Sequence, residues 1–411
     1  LKLKSTDGKV EEEMFVSYQE GIRYYFDKNI KGLDETKEYY IEVKLKGKNN
    51  IASEKEKTQQ VKKYGKKVLI VTGRGSTKRS GLLDRVEKLL EAEGLEHLLF
   101  DEVEPNPLAS TAEKGAQIAR ENGCEVVLGL GGGSIMDCSK SIAFAAVNEG
   151  KIFDYIYGKK TGKGALPLIL VPTTCGTGSE GNCFAVLTDD ETKDKKSLRD
   201  YSVIAKASVI DPELMMTMPK KVLASVGFDA LCHCMEAYLS KACAPVTELF
   251  AKEGIRLIGE NLVKAYENYE DKDAWGAISL ASTYGGMVIN QAGVAAPHGL
   301  EHPASGLRNI THGRGLAALT PVIYKKSIPA APERFAEIAR LLGGKDENEL
   351  VDILEQLLET LELKTSLGNE GVKMEDVDWM TENAFKVSLA SINNHPRVFT
   401  KEEVREIYIE A

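Results

Sequence analysis

No stretch of about eighteen uncharged apolar residues occurs in the chain, so its composition offers no simple membrane-spanning helix. The opening LKLKSTDGKVEEEMF lacks the apolar centre of a secretory signal. Positive charge is in deficit: Lys and Arg number 53 against 62 Asp and Glu, for a net charge of −9. That balance argues against a general nucleic-acid binder. The lysines of segment 43–67 are interleaved with acids and share no large apolar face, so neither nucleic acid nor a membrane surface is an expected partner. Cysteine is sparse and odd in number, seven residues scattered from Cys124 to Cys243, which excludes a disulfide framework. Cys232 and Cys234 stand too close for a C-x-x-C metal clip and read as core thiols of a reducing, cytoplasmic protein.

What is present is ordinary for a globular chain: 411 residues, 43% apolar and 28% charged, room for two domains. Residues 1–37 read as an N-terminal extension of unknown role. YYIEVKL alternates and predicts a strand from Tyr40 to Leu45, with an exposed edge on which a second copy of the chain would pair. From Lys66 the pattern turns regular. Apolar strands at 66–73, 97–103, 124–133 and 166–172 alternate with helices at 80–94, 110–123 and 134–148, with Ser110 as an N-cap and Gly94 as a C-cap. Strands separated by helices of this length predict a parallel sheet covered on both faces, an α/β domain over 38–211. Beyond Pro212, taken as a helix breaker, long helical patterns follow without strands, so 212–411 reads as all helical.

Three loops at predicted strand ends carry nucleotide-binding chemistry. GLGGGSIMDCSK (129–140) passes from a strand into a helix, where glycines permit close backbone approach and unpaired N–H groups face a diphosphate. It is neither a G-x-G-x-x-G nor a P-loop fingerprint. Asp137 falls in the first helical turn, placed to cap N–H groups or to accept from a hydroxyl. PTTCGTGSE (172–180) offers small and hydroxyl side chains suited to the body of a nucleotide. VTGRGSTKRSG (71–81) has Gly73, Gly75 and Ser76, with Arg74, Lys78 and Arg79 and no acid. The missing acid and excess positive charge favour a 2′-phosphate, hence NADP(H).

Four of the six histidines, His233, His298, His302 and His312, crowd into one part of the sequence. Asp229 and His233 are spaced i, i+4 on a predicted helix and share a face, as do His298 and His302. Asp229, His233 and any two of the later three form an oxygen-and-nitrogen set for Fe²⁺ or Zn²⁺, too rich in nitrogen for Mg²⁺ or Ca²⁺. A surplus histidine suits proton transfer. A dinucleotide cradle and a metal site on opposite halves predict a cleft between them, with a metal Lewis acid and a nicotinamide interconverting an alcohol and an aldehyde.

Together GGGSIMDCSK, PTTCGTGSE, GFDALCHCMEAY, AAPHGLEHPASG and THGRG resemble, in order and spacing, the iron-containing (group III) alcohol dehydrogenases, over roughly residues 38–411. The resemblance implies a Rossmann-like N-terminal domain, an all-helical C-terminal domain and an active site in the cleft. It implies Asp229, His233, His298 and His312 as metal ligands and His302 as a proton relay near the substrate. Gly131, Gly132, Gly133 and Ser134 would hold the pyrophosphate, with Asp137 near the nicotinamide. Thr173, Thr174 and Thr177 would line the nucleotide, and Lys195 or Lys196 would meet the nicotinamide ribose. Gly73 and Ser76 look like the butanol-dehydrogenase-like, NADP(H)-preferring branch. The expected substrate is a small, mostly apolar alcohol or aldehyde, from pocket candidates Phe153, Cys183, Phe184, Leu300 and Leu307. The expected ion is Fe²⁺, with Zn²⁺ as the alternative, and the family suggests a homo-oligomer. The rival readings are a glycerol- or diol-dehydrogenase-like enzyme using NAD(H) and Zn²⁺, and a dinucleotide-binding protein without catalysis.

Overall fold

The computed structural model describes residues 61–411 in full and, before them, the backbone of three strands. Strands β1 (Lys2–Ser5), β2 (Val10–Glu13) and β3 (Tyr39–Glu42) form an antiparallel sheet of order β2-β1-β3. They belong to a compact unit of their own, Leu1–Gln59. The strand expected from Tyr40 to Leu45 is therefore β3, and residues 43–45 lie outside the described residues. It pairs with β1, Ile41 opposite Leu3, and does not open the parallel sheet. The boundary expected at residue 38 moves accordingly, since the larger unit is Gln60–Ala411. The reason is visible in the residues: alternation suits an antiparallel strand with one wet face, whereas buried parallel strands read as unbroken apolar runs.

Those runs follow. Strands β4 (Lys67–Gly73), β5 (Glu96–Val103), β6 (Val126–Gly131), β7 (Leu168–Pro172) and the short β10 (Ala207–Ser208) form a parallel sheet of order β10-β7-β6-β4-β5. Successive side chains go to opposite faces. Leu69, Val71 and Val127 join one buried cluster with Phe100, Ile142 and Phe144, while Val68, Ile70, Val126 and Leu128 join another with Leu83 and Leu90. The covering helices are α1 (Ser76–Arg79), α2 (Leu82–Ala92), α3 (Ala109–Glu121), α4 (Gly133–Ala145) and α5 (Ile152–Ile156). Gly94, at φ 70°, ends α2 as expected. Ser110 does not cap α3, whose N-cap is Leu108. Instead the backbone N–H and hydroxyl of Ser110 both donate to Asp190. That acid sits on a hairpin the sequence reading missed, β8 (Phe184–Thr188) and β9 (Lys195–Arg199).

From Pro212 only helices occur among the described residues: α6 (Pro212–Met215), α7 (Lys220–Leu239), α8 (Pro245–Glu267), α9 (Lys272–Ala292), α10 (Ala296–Arg308), α11 (His312–Ser327), α12 (Pro332–Leu341), α13 (Leu350–Thr360), α14 (Val377–Val387), α15 (Leu389–Asn394) and α16 (Lys401–Glu410), with short 3-10 turns. Pro212 starts a helix instead of breaking one. It occupies the first turn, where its missing N–H costs nothing, and Asp211 accepts from the N–H of Glu213. Helix α7 runs through the core of this domain. It is long and apolar enough to cross a membrane by length and composition, yet 89% of that window is buried in protein. A helix apolar on all sides is a core helix here. Cys232 and Cys234 lie on it, fully buried, and burial pushes the Cys234 thiol up to about 12.

Candidate active site

The chain passes from β4 to its neighbour β5, then returns to the other side of β4 as β6. Ligands of open α/β sheets bind at such a reversal, outside the carboxyl ends of the strands. The ends of β4 and β6 are Gly73 and Gly131. Helix α4 begins on Gly132 with no side chain capping its first turn, which leaves its N–H groups available to an anion. The PTT loop lies against this turn. The N–H of Thr173 donates to the carbonyl of Gly131 at 3.0 Å. A Cβ on Gly132 would fall 3.0 Å from Thr174 Cγ2, and one on Gly133 would fall 2.3 Å from Thr177 Cγ2. The three threonines and Ser134 remain partly exposed beside the turn. Asp137 neither caps its helix nor offers a free oxygen: Oδ1 accepts from Ser179 Oγ at 2.6 Å and Oδ2 from the N–H of Val186 at 2.9 Å. It braces α4 against the PTT loop and β8.

The TGRGS loop departs from its expected electrostatics. Gly75 caps α1, and Arg79 folds back so closely that a Cβ on Gly75 would fall 2.5 Å from its Nη1. Lys78 pairs with Asp101 on the adjacent β5, and that contact holds the Asp101 carboxyl below its ordinary range. An acid therefore stands beside the loop after all, supplied by a neighbouring strand.

In the helical domain α7, α10 and α11 bring three histidines expected as ligands around the carboxylate of the fourth, Asp229. Asp229 Oδ1 lies 3.5 Å from His233 Nδ1, 3.3 Å from His298 Nε2 and 3.7 Å from His312 Nε2. The ligand atoms of Asp229, His298 and His312 fall within 4.8 Å of one another. His233 stacks on His298 with ring centroids 4.4 Å apart, but stands outside that tighter set. Its Nδ1 faces the carbonyl of Gly176 at 3.3 Å, which ties the cluster to the PTT loop. A close contact also ties this loop to α9: a Cβ on Gly286 would sit 1.9 Å from the carbonyl oxygen of Gly178.

The charges are strongly coupled. Burial raises the Asp229 carboxyl, but His233, His298 and His312 outweigh it and hold it well below the carboxylate range. Burial lowers His298, yet Glu236 and Asp229 reverse this and push it up to about 10. Burial brings His233 down to about 4. His298 Nδ1 lies 2.6 Å from Glu236 Oε1, and His312 Nδ1 lies 2.5 Å from Glu301 Oε2. Both carboxylates are fully buried, and neither appears among the residues expected from sequence. Their signal was adjacency alone, in HCME and HGLEH. An imidazole whose Nδ1 meets a carboxylate presents Nε2 as a donor, the usual arrangement around a bound divalent ion. Four oxygen and nitrogen donors, three of them histidines, suit Fe²⁺ or Zn²⁺. The residues therefore fit a metal ion.

His302 is partly exposed, its ring 5.8 Å from that of His312. Burial and then Lys195 hold it well below its ordinary value. The two candidate lysines take different partners. Lys195 Nζ reaches Ser305 Oγ at 2.6 Å and Asn106 Oδ1 at 3.1 Å, next to Glu301, whereas Lys196 Nζ donates to the carbonyl of Val387. Phe153 belongs to the α/β core, Leu300 is fully buried in the helical core, and Phe184 and Leu307 pack on the latter. Arg308 is engaged by Asp376.

Residues 49–212 match the family model "Iron-containing alcohol dehydrogenase", and 223–411 match "Fe-containing alcohol dehydrogenase family, C-terminal". The chain is 37% identical to alcohol dehydrogenase 4 of Saccharomyces cerevisiae over 343 residues, covering 82% of this chain and 89% of that protein. It is 32% identical to the NADPH-dependent butanol dehydrogenase of Clostridium saccharobutylicum, covering 84% and 91%. Its structure is similar to that of an archaeal halo-thermophilic alcohol dehydrogenase from a Red Sea brine pool, with a TM-score of 0.83 at 32% identity, covering 87% and 94%.

Proposed function

The chain belongs to the iron-containing alcohol dehydrogenase family, a metal- and NAD(P)-dependent class of enzyme, and from that premise we propose that it transfers hydride between NADP(H) and a small primary alcohol or aldehyde. The observation that carries the reading is the convergence of Asp229, His298 and His312 within 4.8 Å, with His233 against the loop that follows β7. In this reading Asp229, His233, His298 and His312 hold the ion, Fe²⁺ in preference to Zn²⁺. When bound, the ion supplies Lewis-acid polarisation of the substrate oxygen and the nicotinamide supplies the hydride acceptor or donor.

The chain's own residues do the rest. Gly131, Gly132, Gly133 and Ser134 bind the pyrophosphate with the uncapped N–H groups of α4. Thr173, Thr174 and Thr177 line the nucleotide, and Gly73, Gly75 and Ser76 lie beside the adenosine ribose, with Arg74 and Arg79 favouring a 2′-phosphate. Asp137 holds the PTT loop in register instead of meeting the cofactor. Lys195 orients the nicotinamide ribose. His302, partly exposed, carries the proton between the substrate oxygen and solvent. The domain limits become 60–211 for dinucleotide binding and 212–411 for the metal. A cytoplasmic homo-oligomer is consistent with seven free cysteines and an edge strand in β3.

One observation favours a second reading, NAD(H)-dependent oxidation of glycerol or a small diol: Asp101 neutralises Lys78 beside the ribose position. Anaerobic initial rates decide between them. Metal-stripped protein is assayed for butanal reduction with Fe²⁺ or Zn²⁺ restored and NADPH or NADH as donor. Metal-dependent oxidation of NADPH supports the first reading. Preference for NADH, with turnover of glycerol or propanediol but not butanol in the reverse direction, replaces it with the second.

A further inference from the structure

Beyond the four expected ligands, one side chain at their edge has no assigned task. Glu301 is fully buried on α10, and neither of its carboxylate oxygens makes an in-line hydrogen bond. Its Oε2 nevertheless lies 2.5 Å from His312 Nδ1 and 3.6 Å from Lys195 Nζ. The lysine is fixed from behind by Ser305 and Asn106. Asn106 is itself tied to the turn between α10 and α11, donating to Asn309 Oδ1 at 2.8 Å and to the carbonyl of Ile310 at 3.3 Å. The fold also leaves space for this carboxylate alone: a Cβ on Gly315 of α11 would fall 2.8 Å from Glu301 Cγ and 2.9 Å from Oε1.

We propose that Glu301 is a positioning residue for the metal centre, holding His312 so that Nε2 faces Asp229 and coupling that histidine to Lys195 on the β8–β9 hairpin. The inference rests on the metal-binding reading above. Its physical basis is the tautomer: a carboxylate at Nδ1 keeps the ring proton there and leaves the Nε2 lone pair toward the ion. Glu236 makes the aligned version of this contact, a hydrogen bond between its Oε1 and His298 Nδ1 at 2.6 Å, whereas Glu301 and His312 Nδ1 are in close charge contact but out of hydrogen-bond line. Two of the three histidines facing Asp229 are thus oriented by fully buried carboxylates from α7 and α10. Glu301, His302 and His312 also approach one another within 4.8 Å, which raises a separate cation site as the competing role. The Lys195 ammonium beside Glu301 repels such an ion, so orientation of His312 is the role the charges favour.

The test measures Zn²⁺ affinity by competition with a chromophoric chelator, using metal-free protein and reading binding instead of turnover. The wild-type chain is expected to take one ion. Glu301→Gln, which keeps the shape and loses the charge, is expected to weaken Zn²⁺ binding by roughly 10- to 100-fold, the usual cost of losing an outer carboxylate. Glu301→Asp should recover part of that loss. Gly315→Ala, which crowds the carboxylate without removing it, should weaken Zn²⁺ binding as well and decides the matter if Glu301→Gln fails to fold. Lys195→Met should cost less in the Glu301→Gln background than alone, because the coupling is already gone. Zn²⁺ affinities of Glu301→Gln and Gly315→Ala both within about twofold of wild type would overturn the proposal. So would two ions in the wild type with one lost in Glu301→Gln, which would make Glu301 a ligand. A wild-type chain that takes no ion would instead overturn the metal reading itself.

Discussion

Replacing Gly133 by Ala tests the dinucleotide cradle at its tightest point. The new Cβ would meet Thr177 Cγ2 at 2.3 Å and Oγ1 at 2.8 Å. Ordinary carbon contacts need roughly 3.5 Å, so the first turn of α4 and the PTT loop must part by about 1 Å. Overpacking of this kind costs about 1–3 kcal/mol. If the displaced N–H groups are those that meet the pyrophosphate, that cost reappears as a rise of roughly five- to 150-fold in the Kd for NADPH. The assay is titration of nicotinamide fluorescence, paired with thermal melting. A second substitution separates the two consequences of the methyl group. In Gly133→Ala with Thr177→Ala the nearest remaining contact is the residue 177 Cβ at 3.1 Å, so most of the clash is gone. The double variant should regain both melting temperature and affinity, because the contact that pushes the N–H groups of α4 out of place is largely gone. Wild-type affinity in Gly133→Ala would refute the cradle. Affinity that stays low in the double variant despite a restored melting temperature would show that displacement of the α4 turn by Thr177 is not what sets NADPH binding.

Three further outcomes follow from the same geometry. His302→Phe should keep its metal while kcat falls by about 100-fold or more, the scale of a lost proton-transfer group; steady-state rates with metal analysis check this, and near-normal kcat would remove His302 from the reaction. Asp101→Asn frees Lys78 and should raise the NADPH-over-NADH preference in kcat/KM by about two- to fivefold, the scale of an exposed ion pair; an unchanged ratio would place the ribose elsewhere. Asp194 is nearly fully buried and accepts from Asn383 and Lys386 as well as Tyr157; burial raises its carboxyl, but these partners outweigh it and hold it low. A depressed carboxyl contributes stability above its unfolded pKa and loses it as the pH falls through the folded value. Asp194→Asn should therefore cost about 2 kcal/mol at pH 7 and progressively less below about pH 4 in denaturant melts; a penalty independent of pH would mean that packing, not charge, carries it.

The parallel sheet was legible because each of its long central strands is an apolar run with helices on both faces, as in KVLIVTG and LILVP. The clustering of Asp229 with His233, His298 and His312 was legible because Asp229 and His233 sit one turn apart and histidine is otherwise scarce. What escaped depends on contacts distant in sequence. The β8–β9 hairpin mixes charge with apolar residues, and its turn rests on Asp189 Oδ1 accepting from the N–H groups of Glu191 and Thr192. Asp101 was invisible to the loop argument because register between β4 and β5, not proximity in sequence, brings it to Lys78. Glu236 and Glu301 drew no attention in the sequence because only tertiary packing buries them against imidazoles. Ser110 looked like a cap on propensity alone, and its hydrogen bonds go to Asp190 instead.

Above all, the Asp229 cluster should hold a metal ion on which turnover depends. The most direct measurement is the metal content of anaerobically purified protein, wild type against Asp229→Ala, with butanol-dependent reduction of NADP⁺ measured on the same samples. The account predicts one Fe²⁺ or Zn²⁺ per wild-type chain, loss of both metal and turnover in Asp229→Ala, and NADPH binding that survives the substitution. Undiminished turnover in metal-free wild-type protein, or full metal occupancy in Asp229→Ala, would contradict it.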